Sequence, residues 1–431
     1  MKEPINNYQA QQETAIAVMG YGTVGSGVIE VLKTNQLSID ERAGSHIKVK
    51  YVLDLRDFPG DPVEEILTHD VEDILNDDAI RIVVEVMGGV EPAYTFVKRA
   101  LMRDKSVVTS NKALVAKHGA ELLEIARSRS INFLFEASVG GGIPIIRPLN
   151  KSLTSDEIYE ISGILNGTTN YILTKMVQDG RDFQDVLEEA QALGFAEKDP
   201  TADIEGWDSC RKIAILLSLA IGKQVDFENI YTEGITKITQ QDLNYAKALD
   251  GDLKLLASAA IINGKAFARV SPVIMDKYNP LSTVKNEFNA IMVKGNIIGT
   301  VMFYGLGAGK LPTAGAVVSD VIDCAKHLNT NIMYIWSREK TELLPVSQEQ
   351  TRRLVRVKFT YKEQALTAVK EIFASELIIQ LQPTDDEFAF ITGLLPESEL
   401  EVKLDKLEAD PSVKAIPYTI RLQGENFKGL N

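Results

Sequence analysis

Lys212 closes a run that gathers acids ahead of it, with Glu197, Asp203 and Asp208 all lying between Gly194 and the lysine. From Asp208 into the apolar stretch Ile213-Ala-Ile-Leu-Leu217 the chain reads as an opening helix, which puts Asp208 and Lys212 at i and i+4 on one face. A lysine kept protonated beside carboxylates in a cleft can hold a carbonyl or hydroxyl oxygen and pass it a proton. The carboxylates can equally bind a cationic amine. The plainer alternative is a solvated helix pair worth only ~0.3–0.5 kcal/mol. Against it stands the loop in front, where Gly194, Asp199-Pro200 and Gly206 break regular structure and crowd the acids into a short reach.

A second set of chemistry-bearing residues opens the chain. Thr14-Ala-Ile-Ala-Val-Met19 reads as a strand, Gly20-Tyr-Gly22-Thr23-Val24-Gly25 as a turn, and Val28 to Lys33 as part of a helix. In that context the Gly20, Gly22 and Gly25 spacing lets the backbone approach a pyrophosphate at the helix N-terminus, with Thr23 and Val24 in the same turn. The strand Ile47 to Asp54 follows. Asp54 suits the ribose 2′-hydroxyl of NAD, whereas Arg56 suits the 2′-phosphate of NADP, and both alternatives stay open. Asp54 also lies farther from Gly25 than the ~20 residues such a fingerprint expects, which the polar insert from Asn35 to Ser45 accounts for.

Other candidates fall at strand ends. Ser110 and Lys112 follow the strand ending at Val108-Thr109, where an open α/β sheet places its ligands; Lys112 is either a surface lysine at the start of a helix from Ala113 to Ser128 or a charge at the reacting centre. Glu136 and the triple glycine 140–142 make an oxygen-rich loop that suits a hard monovalent cation, or a hinge into a second domain. Thr168, in Asn166-Gly-Thr-Thr-Asn170, sits at a strand-to-helix turn able to cap a helix or bind a small polar ligand. Gly307, in the glycine-rich stretch 305–315, leads a helix that returns to the first domain beside the coenzyme.

These residues need scaffolding of an α/β kind. The expected architecture is a Rossmann-type doubly wound domain over 1–148 with helix 313–330 returning to it. An α+β substrate and dimerisation domain with an open sheet follows over 149–312, including strands at 266–274 and 289–304. Over 350–431 strand and helix patterns alternate as β-α-β-β-α-β, a small split-βαβ module. A net charge of −14 argues against nucleic acid or an anionic membrane as partner. The two cysteines, Cys210 and Cys324, make no disulfide framework and read as buried packing, and the four histidines lack zinc spacing. With no long apolar run and no signal-peptide core at Met1 to Tyr8, the expected compartment is the cytoplasm.

Taken in order, Gly20-Tyr-Gly-Thr-Val-Gly25, Val84-Glu-Val-Met-Gly-Gly89, Val108-Thr-Ser-Asn-Lys-Ala-Leu114, Glu136 to Ile145, Gly163-Ile-Leu-Asn-Gly-Thr-Thr-Asn170 and Gly194 to Lys212 resemble homoserine dehydrogenase over the first ~340 residues. The resemblance implies reversible NAD(P)H-dependent reduction of L-aspartate 4-semialdehyde to L-homoserine, in the route to threonine, methionine and isoleucine. It implies Lys212 as proton donor, Lys112 as the second lysine, and Glu197 and Asp208 at the substrate amine or holding the lysine, with Asp203 in support. It also implies a sodium ion on Glu136, Val139, Gly141 and Ile143, and a homodimer or homotetramer. The C-terminal module resembles an ACT domain, which implies an amino-acid effector such as threonine; Tyr361-Lys-Glu-Gln-Ala365 replaces the usual Asp-x-x-Gly turn, so a dimer-forming role is the alternative. Two other functions remain alternatives: a non-catalytic NAD(P)-binding amino-acid sensor, and a dehydrogenase for another short amino-acid semialdehyde.

Overall fold

The computed structural model describes residues 13–374, 377–381 and 386–428. Its chain forms two compact units. The first comprises Met1–Asp156, Ala214–Phe227 and Gly305–Thr341, the second Glu157–Ile213, Glu228–Tyr304 and Glu342–Asn431.

The first unit is built on a six-stranded sheet in the order β3-β2-β1-β4-β5-β6. Its strands are β1 (Glu13–Met19), β2 (His46–Leu53), β3 (Leu67–Thr68), β4 (Ile80–Glu85), β5 (Ser106–Thr109) and β6 (Phe133–Leu134). Every pairing is parallel. β1 and β4 are near-continuous apolar runs, as a sheet covered on both faces requires. Helix α1 (Thr23–Ala43) follows β1 directly. It lies so close to the helix Lys310–Lys326 that a Cβ on Gly27 would sit 2.9 Å from the Lys310 carbonyl oxygen and 3.0 Å from Ala314 Cβ. A glycine at that crossing is what lets the two backbones meet.

The second unit holds a mixed sheet of 12 strands. Along its main path lie Gly299–Leu306, Phe288–Gly295, Ile158–Ile164, Gly251–Ile262, Lys265–Asp276, Thr419–Gln423, Gln350–Phe359, Glu387–Ile391 and Ile378–Ile379. Gly251–Ile262 and Lys265–Asp276 form a long hairpin in register from Gly251↔Asp276 to Ile262↔Lys265. The expected strand over 289–304 resolves into two, separated by 296–298, with Gly299 at φ +73 supplying the left-handed residue of the turn. The C-terminal strands have their own apolar core, centred on Val355, Val357, Val369, Phe388, Phe390, Leu400 and Leu407. They nevertheless continue the same sheet, because Thr419–Gln423 runs parallel to Lys265–Asp276 with Val273 opposite Arg421. The strand expected over 377–382 is seen at Ile378–Ile379, and Gln382 lies outside the described residues. Among the described residues no helix is long and apolar enough to cross a membrane.

Candidate active site

The coenzyme turn is made of main chain. Gly20 takes φ +103, and a Cβ on Gly25 would overlap the Gly20 carbonyl oxygen, so the turn closes only on glycine. A Cβ on Gly22 would meet nothing within 4 Å. Gly22 is also the N-cap of α1, where no side chain accepts the first helical N–H groups. An open glycine at an uncapped helix N-terminus fits a dinucleotide pyrophosphate. Thr23 is exposed and Val24 half-buried beside it.

Asp54 and Arg56, weighed as rivals in the sequence, are partners here. Arg56 Nε and Nη2 donate to the two Asp54 carboxylate oxygens, each at 2.9 Å, and the Tyr21 N–H donates to Asp54 Oδ2 at 2.8 Å. The guanidinium and these N–H donors hold the Asp54 carboxyl well below the usual carboxylate range. Asp54 is largely covered while Arg56 stays exposed over the ring of Phe58.

At the ends of β4 and β5, Thr109 donates to Glu85 Oε2 at 2.6 Å, and the Met87 N–H donates to Oε1 at 2.8 Å. Glu85 is fully buried, and that burial pushes its carboxyl up. Asn111 Nδ2 donates to the Gly89 carbonyl at 2.6 Å, while its Oδ1 caps the helix Lys112–Ser128 through the Leu114 N–H. Ser110 and Lys112, both half-buried, are set at this junction. Asn111 stands at the strand end where the sequence places ligand-facing residues, whereas Glu85 escaped notice as an organiser; its signal was a carboxylate inside an otherwise apolar strand.

The Glu136 loop is equally specific. Glu136 Oε1 accepts the N–H groups of Ile145 and Ile146 and Oε2 that of Arg147, three of about four acceptor positions on a carboxylate. A Cβ on Gly140 would overlap the Ile143 carbonyl oxygen, and one on Gly141, at φ +57, would overlap that of Gly307. Val139, Gly141, Ile143 and Gly307 are all buried here. A carboxylate with one acceptor position left, in a loop of closely packed main-chain carbonyls, is a donor set that fits a hard monovalent cation.

In the second unit the lysine and its acids converge. The helix Trp207–Ile221 begins immediately after Gly206, whose φ is +84. Asp208 is 2% and Lys212 7% exposed, which removes the solvated-pair alternative. Lys212 Nζ sits 2.7 Å from Asp208 Oδ2 and donates to the Leu165 carbonyl at 2.7 Å. Breaking such a buried pair by deleting one partner costs about 3–5 kcal/mol, roughly ten times the worth of an exposed one.

Asn166, the N-cap of the helix Gly167–Asp179, joins the acids. Its Nδ2 donates to Asp203 Oδ1 at 2.7 Å and to Asp208 Oδ2 at 2.9 Å, while its Oδ1 accepts the Thr169 N–H at 2.9 Å. One amide thus anchors a helix and draws two carboxylates together. Thr168 donates to the Phe195 carbonyl at 2.7 Å, tying down the loop that starts at Gly194, itself exposed with φ +77. Glu197 is set apart. It is exposed on that loop, its main-chain carbonyl accepts from Gln191 at 3.0 Å, and no contact described brings its carboxylate to Asp203 or Asp208.

The chain is similar to known proteins along its length. A family model described as "Homoserine dehydrogenase, NAD binding domain" matches residues 20–136, and one described as "Homoserine dehydrogenase" matches residues 144–322. A homoserine dehydrogenase of Bacillus subtilis is 36% identical over 96% of this chain and 99% of its own length. The crystal structure of a homoserine dehydrogenase from Thiobacillus denitrificans superimposes with a TM-score of 0.89 at 35% identity, covering 96% of this chain and 99% of that one. A hyperthermophilic archaeal homoserine dehydrogenase mutant in complex with NADPH matches 73% of this chain and 98% of its own at 28% identity, with a TM-score of 0.63. With both functional segments matched in order and relatives aligned end to end, the chain belongs to the homoserine dehydrogenase family of NAD(P)-dependent oxidoreductases.

Proposed function

We propose that the cluster of Asn166, Thr168, Asp203, Asp208 and Lys212 is where this homoserine dehydrogenase holds its amino-acid substrate, and that Lys212 is the group that moves the proton. The observation carrying the assignment is the buried ammonium of Lys212, fixed between the Asp208 carboxylate and the Leu165 carbonyl, with a second carboxylate, Asp203, one amide away. In the reducing direction the aldehyde carbon of L-aspartate 4-semialdehyde accepts hydride, its oxygen takes a proton from Lys212, and L-homoserine forms; oxidation reverses each transfer. The bound nicotinamide supplies or accepts that hydride. The paired carboxylates hold the substrate's ammonium group by charge, with Thr168 and Asn166 orienting them. Lys112 serves as the second lysine at the nicotinamide end, with Ser110 and Gly307 lining the coenzyme, while the exposed Glu197 stands apart from the acid pair.

For the coenzyme, the engaged Asp54 carboxylate and the exposed Arg56 guanidinium support NADP as the better substrate. Sodium on Glu136 and the carbonyls of Val139, Gly141 and Ile143 would have a structural role, fixing the loop. The same reading includes a homo-oligomer, a cytoplasmic setting, and a C-terminal segment that binds an amino-acid effector or builds the oligomer. The test follows NAD(P)H formation during L-homoserine oxidation with NAD and NADP in parallel. Arg56→Ala should raise KM for NADP about tenfold while leaving that for NAD within about twofold. Equal effects on both coenzymes would remove Arg56 from the 2′-phosphate.

A further inference from the structure

Glu233 lies outside every group considered so far, yet it has three donors aimed at it. Tyr418 OH donates to Oε1 at 2.7 Å, Arg421 Nη1 to Oε2 at 3.1 Å, and Tyr231 OH to Oε2 at 3.2 Å. Tyr418 and Arg421 belong to the C-terminal segment. Arg421 is 4% exposed and is itself fixed by Glu397, which accepts from Nε at 2.9 Å and from Nη2 at 3.1 Å. Its remaining terminal nitrogen therefore points one way only, to Glu233.

The main chain beside Glu233 is pressed onto the segment that carries the substrate acids. The Glu233 N–H donates to the Val270 carbonyl at 2.9 Å, and the Ile235 N–H to the Ile204 carbonyl at 2.8 Å. Between them, a Cβ on Gly234 would overlap the Ile204 carbonyl oxygen and lie 2.5 Å from Glu205 Cα. A Cβ on Gly206 would lie 3.1 Å from Thr232 Cγ2 and 3.3 Å from Val270 Cγ1. Residues 203–206 thus sit against 232–235 without slack, and Asp203 and Asp208 lie at or within two residues of that contact.

We propose that Glu233 is a positioning residue for the reaction: held by Tyr418 and Arg421 of the C-terminal segment, it presses 233–235 onto Ile204–Gly206 and so keeps Asp203 and Asp208 at Asn166. This rests on the reading that those acids bind the substrate's ammonium group. The C-terminal segment then contributes to substrate affinity through ordinary contacts, whether or not it binds an effector.

The full-length protein with Glu233→Ala, Glu233→Gln and Tyr418→Phe tests it. Glu233→Ala should raise KM for L-homoserine about tenfold, leave KM for the coenzyme within about twofold, and lower kcat by less than about threefold. Tyr418→Phe should raise the same KM about threefold, and Glu233→Gln, which keeps an acceptor for the tyrosine, should recover part of the alanine loss. Amide hydrogen exchange at residues 204–208 should quicken in Glu233→Ala and Tyr418→Phe. A lower melting temperature with unchanged KM and unchanged exchange at 204–208 would show a purely structural clip and overturn the proposal. If the parent protein does not oxidise L-homoserine, the functional reading fails by itself, and exchange at 204–208 alone decides the positioning role. Should Glu233→Ala not fold, Tyr418→Phe, which loses a single hydroxyl, carries the same two readouts.

Discussion

At the glycine turn the groups proposed to meet the coenzyme belong to the backbone: Gly20, Gly22 and Gly25 contribute no side chain, and the first helical N–H groups have no side-chain cap. At the Lys212 cluster most of the contacts come from side chains, joined by the Leu165 and Phe195 carbonyls and the Thr169 N–H. The first arrangement is sensitive to added volume, because a carbon added at Gly25 collides with the turn itself. The second is sensitive to changes in charge and hydrogen bonding, because Lys212 is paired with Asp208 and both Asp203 and Asp208 are held by Asn166. Binding a dinucleotide asks for shape and a fixed dipole, whereas moving a proton asks for titratable groups whose state is controlled.

The sharpest way to break this division is Lys212→Ala. It should lower kcat by about a thousandfold while leaving coenzyme affinity within about twofold, read from steady-state turnover and a fluorescence titration of the dinucleotide. Turnover kept within about tenfold would take proton transfer away from this lysine.

Gly25→Ala probes the other side. The added Cβ overlaps the Gly20 carbonyl, so coenzyme KM should rise about a hundredfold, while Gly22→Ala, where nothing lies within 4 Å, should leave the melting temperature unchanged. A Gly25→Ala protein with normal coenzyme KM would mean that the turn can open without cost to binding.

An effect on stability rather than on turnover belongs to Lys254, in the strand Gly251–Ile262. Its ammonium is buried against neutral acceptors, donating to Asn170 Oδ1 at 3.0 Å and to the Val284 carbonyl. Burial, with Lys285 nearby and Asp252 opposing it, pushes its pKa down to about 7. The unfolded chain, with a lysine near ~10.4, binds more protons than the folded one between about pH 7 and pH 10, so stability should rise with pH across that window. Urea unfolding at both ends of the window should show the rise in the parent and a flatter profile in Lys254→Met. An identical slope in both would place the titration elsewhere.

Local signals made the two centres legible to unequal degrees. Glycine spacing between a strand and a helix announces the coenzyme turn because the fold there is nearly all short-range. The i, i+4 relation of Asp208 and Lys212 is also local, and it survives in the helix Trp207–Ile221. Asn166 could be read as a helix cap from its neighbours, but its grip on Asp203 and Asp208 depends on chain segments 37 and 42 residues away. Asp54 and Arg56 were both visible two residues apart; that they satisfy each other depends on how the chain after β2 turns. Glu233 gave no signal at all, since its partners Tyr418 and Arg421 lie 185 and 188 residues along the chain.

The strand Thr419–Gln423 lies between Lys265–Asp276 and Gln350–Phe359 in the sheet, although it is the latest of the three in chain order. During synthesis on a ribosome, Val273–Met275 and Arg352–Val355 must therefore wait for their partners on that side until the strand emerges. Unpaired edges of this kind attract strands of other chains. Nascent molecules stalled before residue 419 would thus leave these stretches open to pairing with other chains.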